Sequence, residues 1–385
     1  MIFSVGALPQ DYKVVIEAIE GFRETLRFAT SDSLNRWTRL LARTTAARAM
    51  VGTNVMEGVN VTLDDAMAAV DGEEPISEEE ADKQAIQGYW RAMTYIVQLS
   101  KDASYTHNEG TIKSLHYMML SHDLKVNPGR WRPGGIHVTN IPTNKIVYEG
   151  PPVELVPGLM SELISNLNTR TEHPLIRAAM AHLNLAMIHP FSDGNGRMAR
   201  ALQTMVLSRE GILDPQFSSI EEYIGRHSRE YYDVLAEVGQ GGWNPQRDPM
   251  PWIKFSLTAH YRQANNLLRR LTDISKMWAG LEKETKIRKL NERVIFALAD
   301  AALGLKVRNP NYRNQVGVSN QIAKNDLKAL ADANLLIPEG EKRGRYYTAG
   351  PVLHDLRKST KTEWLDSDPF AKITVGDTPE LPGMS

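Results

Sequence analysis

Between Pro174 and Ile188 the chain sets apolar residues on nearly every face of a helix, among them Leu175, Ile176, Ala179, Leu183, Leu185 and Ile188. A helix that is apolar all round has to lie inside other elements. This segment therefore predicts a mainly α-helical chain packed about one central helix. Pro174 suits a first-turn position. Pro190 disfavours helical angles at the residue before it, so the helix should stop at His189 and swing the imidazole into a loop.

That loop reads His189-Pro-Phe-Ser-Asp-Gly-Asn-Gly-Arg-Met-Ala-Arg200. Gly194 and Gly196 let the backbone turn tightly and approach a ligand, and a second helix is expected over 197–208. A glycine-bearing loop that feeds a helix N-terminus presents free N–H groups and the positive end of the dipole, which is an anion site. Arg197 and Arg200, three apart, can share one helix face and point at the same phosphate chain. Asp193 offers an oxygen suited to Mg2+ bridging phosphates. His189 is the natural proton acceptor, since imidazole titrates near about 6.5. Together these residues predict a reaction centre for a phosphate ester.

The same stretch is similar to the signature of the Fic family, His-Pro-Phe-x-(Asp/Glu)-Gly-Asn-Gly-Arg-x-x-Arg, at every defined position. The resemblance implies transfer of AMP from ATP, with Mg2+, to a Ser, Thr or Tyr hydroxyl of a protein substrate. It implies that His189 deprotonates the hydroxyl, Phe191 anchors the loop and Asp193 holds Mg2+. The backbone of Gly194, Asn195 and Gly196 would cradle the phosphates, and Arg197 and Arg200 would engage the triphosphate.

Upstream, residues 33–57 are expected to form a helix opened by Ser33 or Asp32, with Thr53 and Glu57 one turn apart before Gly58. Read from the residues alone, this is a glycine C-cap beside a solvated glutamate. A carboxylate in the last turn opposes the helix dipole, which weakens that reading. The segment also resembles the Fic inhibitory motif, (Ser/Thr)-x-x-x-Glu-(Gly/Asn). That resemblance implies a salt bridge between Glu57 and Arg200 that keeps the γ-phosphate from its reactive pose, with Thr53 supporting the helix end. It also leaves open the reverse reaction, removal of AMP with Glu57 positioning a water.

The 385 residues carry a formal net charge of −1 and 42% hydrophobic residues, with no cysteine. Thiolate chemistry and disulfides are thereby excluded, and no global field favours nucleic acid or acidic membranes. No run approaches the roughly 20 apolar residues of a membrane span, so a cytoplasmic location is expected. The expected order is an N-terminal helical region (1–100), a Fic core (101–240) with a flap (136–148), linking helices (241–285) and a winged helix-turn-helix (286–360). A tail without fixed structure (361–385) would close the chain.

Within this frame Ser77 and Glu80 suggest a capping box. His116 and His122 read as surface or satisfied core residues, and His182 as hydrogen-bonded core rather than a metal partner of His189. A hairpin turning at Pro142-Thr-Asn144 is either a plain connection or, by the resemblance, a flap whose Ile136, Val138 and Ile141 face the target strand. One helix is expected from Phe217 to Val238, with aromatics that pack. The resemblance makes its Tyr232 a candidate to stack on adenine, although Gly239 stands where some relatives carry Asn. Near the C-terminus, Ser319, Asn320, Gln321 and Lys324, with Lys342, Arg343 and Arg345 on a wing, suggest DNA contact or a protein-docking module. A DNA-binding regulator with a silent Fic core is thus an alternative function, and a homodimer is expected from the family.

Overall fold

The structure, a computed structural model, describes residues 1–31, 36–75, 79–140, 145–210, 215–341, 344–362 and 368–371. Helices α1 (Gln10–Ser31) and α2 (Arg36–Val55) lead into α3 (Leu63–Val70), α4 (Glu80–Lys101) and α5 (Glu109–Leu120). A hairpin of β1 (His137–Asn140) and β2 (Lys145–Glu149) precedes α6 (Val156–Thr169), α7 (Pro174–Ile188) and α8 (Asn195–Ser208). The short helices α9 (Pro215–Ser218), α10 (Glu221–Arg226) and α11 (Ser228–Gly239) run into strand β3 (Gly241–Gly242) and the long α12 (Met250–Ile287). Beyond it come α13 (Ile295–Ala302), α14 (Asn309–Val316), α15 (Asn320–Asp332), the hairpin β4 (Leu336–Glu339) and β5 (Tyr346–Ala349), and α16 (Pro351–Thr360). No helix among the described residues is long and apolar enough to cross a membrane.

The fold is mainly α, and α7 is its hub: Leu175, Ala179, Leu183 and Ile188 are each at most 1% exposed. Helix α8 packs antiparallel-fashion back along α7 after the signature loop, while α12 closes the other side, where Trp252 donates its indole N–H to the Ala179 carbonyl at 2.7 Å. Asn184 takes the N-terminal segment into the same core. Its amide accepts from Phe3 N–H and donates to the Phe3 carbonyl.

Several boundaries differ from the sequence expectations. The segment from Phe217 to Val238 is three pieces rather than one helix, because the Ser219 side chain accepts the Glu221 N–H in a turn and His227 leaves helical angles. Helix α12 runs on to Ile287, through Gly280, which faces Leu356 of α16. The turn-rich stretch after Gly239 supplies β3, which pairs parallel to β2 and extends the hairpin to three strands. Residues 361–362 and 368–371 of the tail are held. Thr362 bonds Asp273, and the Phe370 ring meets Tyr12 at 5.0 Å, because an aromatic residue in an acidic stretch has apolar area to bury. Ser77 of the expected capping box and the proposed N-cap residues 32 and 33 lie outside the described residues; α4 itself starts after Glu79.

Helix α2 crosses α10 at a pair of glycines. A Cβ on Gly52 would stand 2.3 Å from the Glu221 carbonyl oxygen, and one on Gly225 would stand 2.5 Å from the Gly52 Cα. Backbone cannot yield as a side chain does, so Gly52→Ala is expected to cost about 1–3 kcal/mol. A thermal melt reads this directly, and an unchanged midpoint would mean that the crossing tolerates a methyl group.

Candidate active site

Helix α7 ends with His189 in the left-handed region, φ 52°, its N–H donated to the Leu185 carbonyl at 3.0 Å. The following proline forbids another helical turn, and the ring is thereby turned out of the helix. A carbonyl can only accept, so the 3.1 Å contact between His189 Nδ1 and the Ala186 oxygen fixes the proton on Nδ1. Nε2 is left with its lone pair. Burial pushes the His189 pKa below the ordinary imidazole value, and Arg132 adds to this, against Glu57 and Asp193, which act to raise it. The Ala186 carbonyl also acts to raise it, but burial prevails and the ring is neutral around pH 7.

The loop and the helix end before it are held by side chains that sequence alone does not assign to the site; one of them, His116, is expected at the surface or satisfied in the core and is the latter. Arg132, within Pro128-Gly-Arg-Trp-Arg-Pro, donates from Nε to the His189 carbonyl at 2.9 Å and from its two Nη atoms to the carbonyls of Gly134 and Pro151. His116 stacks on Phe191 at 3.7 Å with the planes 5° apart. Its Nδ1 accepts from Gly129 N–H at 2.8 Å, so its Nε2–H donates to the Asp193 carbonyl at 3.0 Å. Tyr148 donates to the Met187 carbonyl at 2.8 Å. A basic residue inside a Pro/Gly-rich stretch, where many carbonyls lack strand or helix partners, was the one signal available for Arg132.

Helix α8 starts at Asn195, two residues earlier than expected, with Gly194 at φ 73° before it. The Asn195 side chain is spent on the loop: Oδ1 accepts from Phe191 N–H and Nδ2 donates to the Phe191 carbonyl, both at 2.9 Å. The first-turn N–H groups have no partner within the helix. Over them stands Glu57, whose Oε1 would lie 2.5 Å from a Cβ on Gly196. Glu57 is not in the last turn of α2, which ends at Val55; it lies in the turn beyond, with its N–H on the Asn54 carbonyl. That extra turn carries the carboxylate into the site instead of to solvent.

Arg200, one turn along α8, is fully buried. It donates from Nη2 to Glu57 Oε1 at 2.6 Å and from Nε to Thr53 Oγ1 at 2.7 Å. Burial disfavours its charge, but Glu57 overrides this and holds the guanidinium more firmly protonated than a free arginine. Its Nη1 finds no hydrogen-bond partner. Arg197, by contrast, is buried away from the cavity, with Asp193 as its ion-pair partner at 3.9 Å. The two arginines do not converge on one spot.

These groups line a cavity of about 600 Å3. Its walls include Glu57, His189, Asp193, Gly194, Asn195, Gly196 and Arg200 on one side and Ile136 and Val138 of the flap region on another. Tyr232, 49% exposed, completes the wall with its hydroxyl 3.4 Å from the Met56 carbonyl. Ile141 lies outside the described residues. The Asp193 carboxylate is 53% exposed at the rim. Among the described residues no three His, Asp or Glu gather into a metal-binding set. A single exposed carboxylate beside an anion site suits Mg2+, which keeps waters and takes substrate phosphates as ligands. It does not suit an all-protein cage.

Buried neutral histidines predict an acid sensitivity. Burial lowers the pKa of His107 and His116 to about 4 and that of His182 to about 3. Unfolded chains take up these protons near about pH 6.5 and the folded protein does not, so stability is complete above that pH and is lost as pH falls towards 4. Melting midpoints should fall between pH 7 and pH 5, and an equal midpoint at both would contradict the buried neutral rings.

Residues 106–207 match the Fic/DOC family, and the chain carries a Fic domain. It is 31% identical over 185 residues to the "Protein adenylyltransferase Fic" of Aedes aegypti, covering 45% of this chain and 32% of that protein. Against the protein of the same name from Nematostella vectensis it is 27% identical, covering 52% and 44%. The probable protein adenylyltransferase of Aquifex aeolicus is 30% identical, with 42% and 51% covered. The chain thus spans from about a third to about half the length of these relatives. Among solved structures, a Fic family protein from Desulfovibrio desulfuricans G20 superposes with a TM-score of 0.57 at 22% identity, over 90% of this chain and 98% of that one. Fic-1 of Caenorhabditis elegans gives 0.51 at 21%, over 67% and 72%. Both share the fold.

Proposed function

We propose that this chain transfers AMP from ATP to a Ser, Thr or Tyr hydroxyl of a protein, itself included, and that Glu57 restrains the transfer. The observation that carries this reading is the placement of three groups about one cavity: a neutral His189 with Nε2 free, the open first turn of α8, and an Arg200 held at 2.6 Å by an internal carboxylate. The target hydroxyl oxygen forms a bond to the α-phosphorus while the bond from that phosphorus to the bridging oxygen of the β-phosphate breaks. The hydroxyl proton goes to His189 Nε2, and pyrophosphate leaves. The N–H groups of the α8 first turn stabilise the charge that builds on the phosphate oxygens. Asp193 would hold Mg2+, which supplies further neutralisation of the phosphates.

Arg200 is the natural counter-ion for the terminal phosphate, and Glu57 occupies it. Tyr232 is the proposed adenine neighbour, and the edge strand β1, with Ile136 before it and Val138 on it, the proposed docking edge for the target backbone. The presence of Glu57 and His189 in one cavity also supports a second reading, hydrolytic removal of AMP with Glu57 orienting the water.

We read residues 286–360 as a winged helix. Ser319 caps α15, on which Asn320, Gln321 and Lys324 are exposed, and the β4–β5 hairpin with Arg345 would be the wing; Lys342 and Arg343 lie outside the described residues. Transfer of label from α-labelled ATP to protein tests the main reading, comparing wild type, Glu57→Gly, and Glu57→Gly with His189→Ala. Silence of all three with ATP still bound would favour AMP removal, checked by release of AMP from a modified protein.

A further inference from the structure

A buried hydrogen-bonded chain runs from α1 to the cavity, and the reaction above makes no use of it. Arg23 Nη2 lies 3.1 Å from His260 Nδ1, and His260 Nε2 lies 2.9 Å from the Gln203 amide. The other side of that amide lies 2.6 Å from His182 Nδ1, and His182 Nε2 is 3.0 Å from the Tyr231 hydroxyl. All five side chains are at most 3% exposed.

Arginine has donors only, so His260 Nδ1 must accept. The ring is neutral, because burial drives its pKa well below the ordinary value, and its proton is therefore on Nε2. That N–H faces the Gln203 amide and needs its oxygen. An amide exchanges oxygen and nitrogen by a half-turn, and only the network decides between the two. With the oxygen towards His260, the amide nitrogen donates to His182 Nδ1. His182 then carries its proton on Nε2 and donates it to the Tyr231 oxygen. The opposite amide orientation would make His260 accept at both nitrogens, which a neutral ring cannot do. One buried cation thus sets the direction of every bond in the chain. At its end the Tyr231 oxygen accepts from His182, and Arg200, which has donors only, can bond to that same oxygen, so the hydroxyl hydrogen is the donor left over; Tyr231 lines the cavity together with Arg200 and Glu57.

We infer that Tyr231 is a committed hydrogen-bond donor into the cavity, and that it positions an anionic oxygen of the polyphosphate end of the nucleotide beside Arg200. The direction of donation rests on the chain alone; the identity of the acceptor rests on the adenylyl-transfer reading. The phosphate end is favoured because Arg200 draws anionic oxygens to this wall, and a donor there complements them.

Two measurements on the full chain separate these halves. In 15N-histidine-labelled protein, two-bond ring correlations should show His182 and His260 both protonated at Nε2, with the His182 signals identified by their shift in Tyr231→Phe. A His182 protonated at Nδ1 would overturn the direction. In a Glu57→Gly background, Tyr231→Phe should weaken ATP binding by about tenfold or more, the scale of a hydrogen bond to a charged group, and AMP binding by much less. Equal losses for ATP and AMP, or none for ATP, would overturn the positioning role. Failure of Glu57→Gly itself to bind ATP would overturn the nucleotide reading, and the acceptor with it, while the tautomer result would stand.

Discussion

Glu57→Gly is expected to raise self-labelling from α-labelled ATP by about 10- to 150-fold. The pair it breaks is charge-assisted and nearly dry, with Arg200 1% and Glu57 18% exposed at 2.6 Å. Such a bond contributes roughly 1.5–3 kcal/mol, and each factor of ten in rate corresponds to about 1.4 kcal/mol. Removing the side chain also clears the space above Gly196, where Glu57 Oε1 crowds the first turn of α8. Both effects act on the same anion, so the binding of ATP should tighten as the rate rises. Glu57→Gln keeps the shape and loses the charge, and it should fall between wild type and glycine. Initial rates of label incorporation at fixed ATP decide the matter: equal rates in wild type and Glu57→Gly would dispose of the restraint.

In that released background, His189→Ala is expected to lower transfer by roughly 10²- to 10⁴-fold, the usual contribution of a positioned base. ATP binding should be kept, since the ring makes none of the phosphate contacts. The pH profile carries further information. A base works in its neutral form, and burial with Arg132 holds the His189 pKa below the ordinary value. Activity should therefore stay level as pH falls through about 6.5 and decline only lower, as the ring begins to take a proton. Loss of Glu57 removes one influence that raises this pKa, so the decline should move still lower in Glu57→Gly. An apparent pKa above the ordinary imidazole value would show that a different group accepts the proton.

Much of the site was legible because it is local in sequence. The apolar run before His189, the proline after it and the glycines around Asn195 each act on their neighbours, so α7, the loop and the start of α8 follow from residue types. The Thr53, Glu57 and Arg200 arrangement spans 147 residues in its longest bond, and it entered through a resemblance to a known motif, not through periodicity. What escaped was set by tertiary contact. Arg132 binds carbonyls that only the folded chain brings together, and His116, expected as a surface or satisfied core residue, gave no sign in sequence that its bonds would hold the signature loop. Asn195 was assigned to the phosphate cradle for its backbone, while its side chain turned out to fasten Phe191. Arg197 shares spacing with Arg200 but not surroundings, because three residues along a helix are also 60° apart around it, roughly, and the core claims one of the two.

The glycine crossing of α2 and α10 bears on how such a restraint is lifted. With backbone packed on backbone at Gly52 and Gly225, the helix that delivers Glu57 is built into the catalytic body and cannot be peeled away like a separate lid. The part of this segment beyond the helix is short, the turn after Val55 and the Glu57 carboxylate itself. Under the restraint proposed above, whatever displaces Glu57 would compete with one side chain for Arg200 inside the cavity.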